Sequence, residues 1–113
     1  NRDMLARRLA WEGYSVSVAT NGEEGIVAAL EQMPDLIVMD LGLPRLDGWE
    51  AARQLKAMAQ TARIPIVALS AYALSEDRTR ALEAGCDEFE TKPVEFSRLF
   101  GKMIRLLALS RAG

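Results

Sequence analysis

Three polar residues stand at the ends of separate, mostly apolar runs, and their chemistry is complementary. Asp40 follows LIVM, Ser70 ends IPIVALS and Lys92 ends DEFETK. If these runs are strands of one parallel sheet, their carboxyl ends meet at the edge where open α/β sheets bind ligands. A carboxylate that attacks, a hydroxyl that hydrogen-bonds an oxygen and an ammonium that neutralises charge together suit chemistry on a phosphoryl group.

Each of these residues also has a simpler interpretation on its own. An Asp after a strand is commonly a turn or cap residue, and a Ser in a βα loop usually caps a helix or shapes a turn. A lone Lys is usually solvated. Three independent strands would have to end in these residue types by chance, which favours a shared site, but the residues alone leave both interpretations open.

Helical and strand patterns alternate along the chain. Asn21 and Glu24 have capping-box spacing before a helical apolar pattern, and Asp47 with Glu50 repeats that spacing. The patterns predict helices at 2–12, after 21, after 47, from 75 and after 93, with strands at 14–20, 36–39, 64–69 and 87–91. Single helices between strands indicate a parallel sheet covered on both faces. The continuously apolar strands, 36–39 and 64–69, are expected to be central, and the other two to lie at the edges.

The composition excludes several classes of protein. A chain of 113 residues with a net charge of −2 has no overall basic field to attract nucleic acid or an anionic membrane. It has one cysteine and no histidine, which rules out Ser-His and Cys-His catalysis within the chain. It has no apolar run near the roughly 20 residues that span a bilayer, so we expect a cytoplasmic domain.

These residues, with the motifs around them, resemble the receiver domain of two-component response regulators from residue 1 to about residue 108. The matching motifs are LIVMD ending at Asp40, LPRLDG, LSA containing Ser70, AGCDEF, and TKP containing Lys92. The separations of 30 residues from Asp40 to Ser70 and 22 from Ser70 to Lys92 are also similar to the family's. The resemblance implies an α/β, flavodoxin-like, doubly wound parallel sheet with strand order 2-1-3-4-5, two helices on one face and three on the other.

The resemblance also implies a role for each site residue. Asp40 would be the phospho-acceptor, taking a phosphoryl group from a histidine kinase or histidine phosphotransfer protein. Mg²⁺ would be held by Asp40, by the backbone carbonyl of Gly42 and by an acidic pair after the first strand. Lys92 would offset charge, Ser70 would bind the phosphoryl oxygen, and Phe89 would turn inward as a switch residue. For Phe89, a plain edge-strand core aromatic is an equally good interpretation.

The sequence departs from the family at its start. The family's first strand and acidic pair are not found here, because Asn1 already aligns with the start of the first helix. In the order 2-1-3-4-5 that strand is central, so without it two neighbours would lack hydrogen-bond partners. We therefore expect residues 1–113 to be a single receiver domain, incomplete at its N-terminal side, with the strand just upstream. A strand exchanged between two copies, or a dimer that fills the gap, is the alternative.

The predicted function is a signalling switch that catalyses only its own phosphoryl transfer and dephosphorylation. Its expected partners are the kinase or phosphotransfer protein and a downstream protein target, with a homodimer as a further option and with no direct nucleic acid or membrane contact. The motifs DLGLPRLDGWEA and TKPV are more similar to stand-alone and hybrid-kinase receivers than to those of transcription factors.

Three other functions compete with this one. The alternative closest to it is a phosphorylation-independent pseudo-receiver, an interaction module with the same fold. A phosphatase of the haloacid dehalogenase type would repeat Asp two positions after the nucleophile, where this chain has Gly42. A flavodoxin-like flavin site would need a Ser/Thr-rich phosphate cradle that these loops lack.

Overall fold

The computed structural model describes residues 2–40, 48–70 and 75–112. From β1 onward, strands and helices alternate along these residues as the sequence predicts for an α/β protein, whereas α1 is followed directly by α2. The elements are α1 (Arg2–Trp11), α2 (Gly22–Gln32), β1 (Ile37–Asp40), α3 (Gly48–Ala57), β2 (Ile66–Ser70), α4 (Ser75–Glu83), β3 (Glu88–Thr91) and α5 (Phe96–Ala112). None of the helices in the described ranges is long and apolar enough to cross a membrane.

The described strands form one parallel sheet in the order β1-β2-β3. Asp40 pairs with Leu69 in the register of β1 and β2, and Ser70 pairs with Thr91 in that of β2 and β3. Every residue of the central strand β2 is buried, as its unbroken apolar sequence predicts. In the expected order 2-1-3-4-5, the strands β1, β2 and β3 correspond to the third, fourth and fifth strands, and their order agrees with it. The positions of the first and second strands stay a prediction.

Two predictions about strands are wrong for the described residues. Residues 14–20 form no strand, although their apolar and polar residues alternate. The strand β1 pairs only with β2, so it lies at an edge of the described sheet rather than in its centre. In the order 2-1-3-4-5, residues 14–20 and β1 would both pair with the first strand, which is not among the described residues. An alternating pattern of apolar and polar residues cannot by itself replace the hydrogen bonds that this strand would provide.

Helices cover both faces of the sheet with separate cores. On one face, α2, α3 and α4 pack their small and apolar side chains against β1, β2 and β3, with Leu55 and Ile66 fully buried. On the other face, α1 and α5 pack against the sheet around Val67, Leu99 and Met103. This division into three helices and two is the one that the resemblance implies.

Local sequence signals fix the ends of several helices. The Oδ1 atom of Asn21 accepts a hydrogen bond of 3.0 Å from the backbone N–H of Glu24, which confirms the predicted cap of α2. Met33 takes the left-handed conformation at the end of α2, directly before Pro34. Gly85, with φ +99°, follows α4, as expected of a glycine that ends a helix. The predicted cap Asp47 lies outside the described residues.

A partly buried ammonium joins α3 to the amino ends of β2 and β3. Lys56 Nζ donates hydrogen bonds to the backbone oxygens of Ala62 and Ile64 and to Oδ2 of Asp87, at 3.2, 2.7 and 3.0 Å. The same Asp87 oxygen accepts the backbone N–H of Ile66 at 2.8 Å. This cluster secures the end of the sheet opposite the strand-end polar residues.

Candidate functional site

The structure brings together the three strand-end residues that the sequence singles out. Asp40 is the last residue of β1, Ser70 the last residue of β2, and Lys92 follows the last residue of β3. Lys92 Nζ donates a hydrogen bond of 2.6 Å to Oδ2 of Asp40. The backbone N–H of Lys92 donates to the Ser70 carbonyl at 2.8 Å, so the two strand ends next to Asp40 are fixed to each other. Asp40, Ser70 and Lys92 therefore lie together at one edge of the described sheet, and their shared chemical role stays a prediction.

The ion pair at this site is accessible to solvent. The Lys92 side chain is 38% exposed and that of Asp40 is 23% exposed, so a phosphodonor can reach the carboxylate. Ser70 is buried, with 5% of its surface exposed. The peptide bond between Lys92 and Pro93 is cis. The arrangement is a partly exposed carboxylate with a cation in contact with it.

The described residues contain only one of the magnesium ligands that the resemblance implies. Gly42 lies outside them, and the acidic pair is not among the 113 residues of the sequence. Within the described ranges there is no group of three or more His, Cys, Asp or Glu side chains that could hold a metal ion. Of the expected ligands, only Asp40 lies among the described residues. A single carboxylate is suitable as one of the several oxygen ligands that Mg²⁺ requires.

Phe89 belongs to the core in this structure. It is 5% exposed and packs in the cluster that includes Ala68, Ala81 and Cys86, on the side of α3 and α4. The ring therefore points inward, which agrees with a core aromatic. Its role as a switch residue stays a prediction.

The sequence analysis missed a network that fixes β3 to α5. Lys102 Nζ donates to the Phe89 carbonyl at 2.7 Å and to Oε1 of the buried Glu90 at 2.8 Å. Arg98 contacts the other Glu90 oxygen at 3.3 Å, and Arg105 forms an ion pair with Glu88. The sequence spacing could have predicted this network. The three cations are at i, i+4 and i+7, which places them on one face of a helix, and the two acids are at i and i+2, which places them on one face of a strand.

A second missed contact joins the helices that follow Asp40 and Ser70 in the chain. The guanidinium of Arg80 on α4 lies over the ring of Trp49 on α3, 4.6 Å from its centroid. Trp49 is the second residue of α3 and Arg80 is in the second half of α4. If α4 moved relative to α3, this cation–π contact would therefore break, or Trp49 would have to move with Arg80.

Comparison with known proteins identifies the kind of domain to which this site corresponds. The family model of the response regulator receiver domain matches residues 1–104. The chain is 37% identical over 106 residues to the response regulator MprA of Mycolicibacterium vanbaalenii, a match that covers 94% of this chain and 45% of that protein. It is 32% identical over 105 residues to the DNA-binding dual master transcriptional regulator RpaA of Synechocystis, covering 93% of this chain and 44% of that protein.

A solved structure supports the same likeness. The receiver domain of the sensor histidine kinase PA1611 from Pseudomonas aeruginosa, with a magnesium ion coordinated in its active-site cleft, superposes with a TM-score of 0.88. The two chains are 34% identical, and the match covers 96% of this chain and 88% of that one. The chain spans less than half the length of the two curated relatives, so its similarity to them is that of a domain.

Proposed function

The chain belongs to the response regulator receiver domain family, and from that premise we propose that it is a phosphorylation-activated switch of a two-component phosphorelay whose phospho-acceptor is Asp40. The observation that carries the proposal is the Lys92–Asp40 hydrogen bond of 2.6 Å beside the end of β2. A strand-end carboxylate in contact with a cation is the arrangement that phosphoryl transfer to a carboxylate requires, since both reactants are negatively charged.

The proposed reaction uses the site residues in distinct roles. An oxygen of the Asp40 carboxylate attacks the phosphorus atom of a phosphohistidine. The P–N bond breaks, the electron pair stays on the imidazole nitrogen, and an acyl phosphate forms on Asp40. Lys92 offsets the charge on the transferred group, and the Ser70 hydroxyl then donates a hydrogen bond to a phosphoryl oxygen. No substrate other than the phosphodonor and water is required, so the chain acts on itself and is not an enzyme for another substrate.

We further propose that the reaction depends on Mg²⁺. Asp40 would be one ligand, the backbone carbonyl of Gly42 another, and the acidic pair that the resemblance implies would complete the protein's share. When bound, the ion supplies positive charge that offsets the phosphoryl oxygens. The neighbour from Pseudomonas aeruginosa, which holds magnesium in its cleft, supports this proposal.

The proposed output is a change of the protein surface around α4, β3 and α5. Ser70 ends the strand before α4, and Phe89 packs beneath that helix, so a hydrogen bond formed by Ser70 would alter the position of the intervening segment. We propose a cytoplasmic protein with a histidine kinase or phosphotransfer protein as donor and a protein as target, without direct nucleic acid contact by this domain. The target can also be a second copy of this chain, which would give a homodimer.

Phosphoryl transfer from a phosphorylated histidine phosphotransfer domain, in the presence of Mg²⁺, tests the proposal. The transferred phosphoryl group is radiolabelled. Hydroxylamine should release this label from the protein, because it cleaves acyl phosphates and leaves serine phosphates intact. A Ser70→Ala protein should still accept the label, whereas Asp40→Asn should not. A label that resists hydroxylamine, or that persists in Asp40→Asn, would overturn the assignment.

One observation favours a second candidate function. The described residues contain a single carboxylate at the site and no group of three potential metal ligands. A phosphorylation-independent interaction module with the receiver fold would need no more than this. Such a module would bind its target equally well as wild type and as Asp40→Asn, and the phosphotransfer experiment would give no label in either.

A further inference from the structure

Charge is distributed unevenly along this chain. Residues 9–44 contain six acidic residues and no lysine or arginine, which gives this segment a charge of −6 and leaves +4 for the rest. The segment includes all of α2 and the extended residues before it. Three of the six acids, Glu23, Glu24 and Glu31, lie on α2, so this helix has a charge of −3 although the whole chain is nearly neutral.

A groove lies along this acidic helix, between residues 18–19 and the outer face of α2. Its volume is about 430 Å³. Its lining combines apolar side chains with acids: Val18, Ala19, Glu23, Glu24, Val27, Ala28, Glu31 and Gln32. None of these described lining residues is a lysine or an arginine. The groove is separate from Asp40 and Lys92, so it belongs to neither the phosphorylation site nor the proposed output surface.

Two hydrogen bonds between side chains hold the walls of the groove together. Ser17 Oγ donates to Oε1 of Gln32 at 2.6 Å, and Thr20 Oγ1 donates to the carboxylate of Glu24 at 2.7 Å. Each bond joins the segment before α2 to the helix itself. Both walls of this open groove are therefore connected by contacts between side chains.

The apolar part of the groove lacks a cover in the described structure. Val18 and Val27, which lie on opposite walls, are each 53% exposed. Covering apolar surface is favourable by roughly 25 cal/mol per Å², so an apolar side chain that enters between the two valines would stabilise a complex. The acids beside them would favour a cation next to that side chain and would oppose an anionic ligand.

From the groove, its valines and its charge we propose that this face docks a cationic segment of a partner protein, with an apolar side chain between Val18 and Val27 and basic side chains beside Glu23 and Glu31. A volume of this size accommodates a few side chains of one segment, whereas a standard interface between two folded domains covers about 800 Å² on each partner. Nucleic acid and anionic lipid surfaces are excluded as occupants by their charge.

A short amphipathic peptide of lysine and leucine, labelled with a fluorophore, is a suitable probe of the groove. Its fluorescence anisotropy should rise on titration with the wild-type protein. Peptides with glutamate in place of lysine, or serine in place of leucine, should bind at least about tenfold more weakly, because each removes one of the two interactions. Equal binding by the serine peptide would overturn the apolar part of the proposal.

Two charge reversals of the same kind separate the groove from general attraction. Glu31→Lys lies in the groove, and Glu83→Lys is an exposed reversal on α4 outside it. We expect Glu31→Lys to weaken peptide binding about tenfold and Glu83→Lys less than about twofold. Equal weakening by the two variants, or no binding by the wild type, would overturn the proposal.

Sedimentation of the unlabelled protein completes the test. If the chain associates with itself and Glu31→Lys abolishes that association, the occupant is a second copy and the proposed partner segment is wrong. Peptide binding should also be unchanged in Asp40→Asn, so the docking proposal and the proposed phosphorylation can fail independently.

Discussion

Lys92 reaches across the end of the central strand β2 to form a hydrogen bond of 2.6 Å with Asp40, a residue 52 positions earlier in the chain. The contact joins the carboxyl ends of β1 and β3, which do not pair with each other. It therefore depends on the parallel order of all three strands. An ion pair that is partly exposed contributes little to folding, which makes a chemical role the better explanation for its geometry.

We predict that Lys92→Met separates activity from stability. The rate of phosphoryl transfer to Asp40 should fall at least about tenfold, because the charge that offsets the phosphoryl group is lost. The free energy of unfolding should change by less than about 1 kcal/mol, since the side chain is accessible to water. Transfer kinetics and urea denaturation measure the two quantities. Arg63→Met, an exposed cation away from the site, should change neither, and an unchanged transfer rate in Lys92→Met would contradict the assigned role.

Phe89→Ala should destabilise the fold by about 3–5 kcal/mol, because it removes a large ring from the core. Phe96→Ala is a matched control, since Phe96 is only half-buried and lies at the start of α5. The control should lose less stability in urea denaturation. If Phe89→Ala costs no more than Phe96→Ala, the inward position of Phe89 is not its stable position.

Two glycine substitutions should change stability in opposite directions. At Gly85, with φ +99°, an added Cβ would lie 2.7 Å from Cγ of Lys56, so Gly85→Ala should cost more than about 1 kcal/mol. At Gly101, inside α5, an added Cβ would meet nothing within 4 Å, so Gly101→Ala should stabilise by up to about 1 kcal/mol. Thermal unfolding measures both, and a stabilised Gly85→Ala protein would contradict the described contact with Lys56.

The Cys86 thiol should make stability depend on pH above 9. Burial, with the neighbouring charge of Asp87 as a smaller cause, raises the pKa of Cys86 from its ordinary value of 9.0 to about 11 in the folded protein. Between these values the unfolded chain releases the thiol proton while the folded chain keeps it, so stability is full below pH 9 and falls as pH rises toward 11.

Chemical denaturation at a series of pH values checks this prediction. A shift of this size corresponds to a loss of about 3 kcal/mol when the window is crossed completely. Cys86→Ala should be less stable at neutral pH but should lack this part of the pH dependence. An identical slope in the two proteins would show that other groups cause it.

The residues differ in how far the sequence alone could predict them. Asp40, Ser70 and Lys92 are predictable because each ends a run that reads as a strand, and parallel strands end at one edge. The helix end at Gly85 and the cap at Asn21 follow from local chemistry that does not depend on the rest of the fold.

Other features depend on partners that a local pattern cannot reveal. Residues 14–20 alternate as a strand does, yet a strand also needs a neighbour with free backbone groups, and none of the described strands pairs with them. The contact of Arg80 with Trp49 links side chains whose proximity follows from how α3 and α4 pack. The spacing of the acids on β3 and the cations on α5 could have predicted that Glu90 faces α5. It could not have predicted that Glu90 is buried.

Intact mass after incubation with acetyl phosphate and Mg²⁺ tests the central claim most directly. Wild type, Asp40→Asn and Asp35→Asn are compared in the full-length protein. We predict that wild type and Asp35→Asn each gain one phosphoryl group and that Asp40→Asn gains none. A gain by Asp40→Asn, or no gain by wild type under conditions that phosphorylate a known receiver, would contradict the assignment.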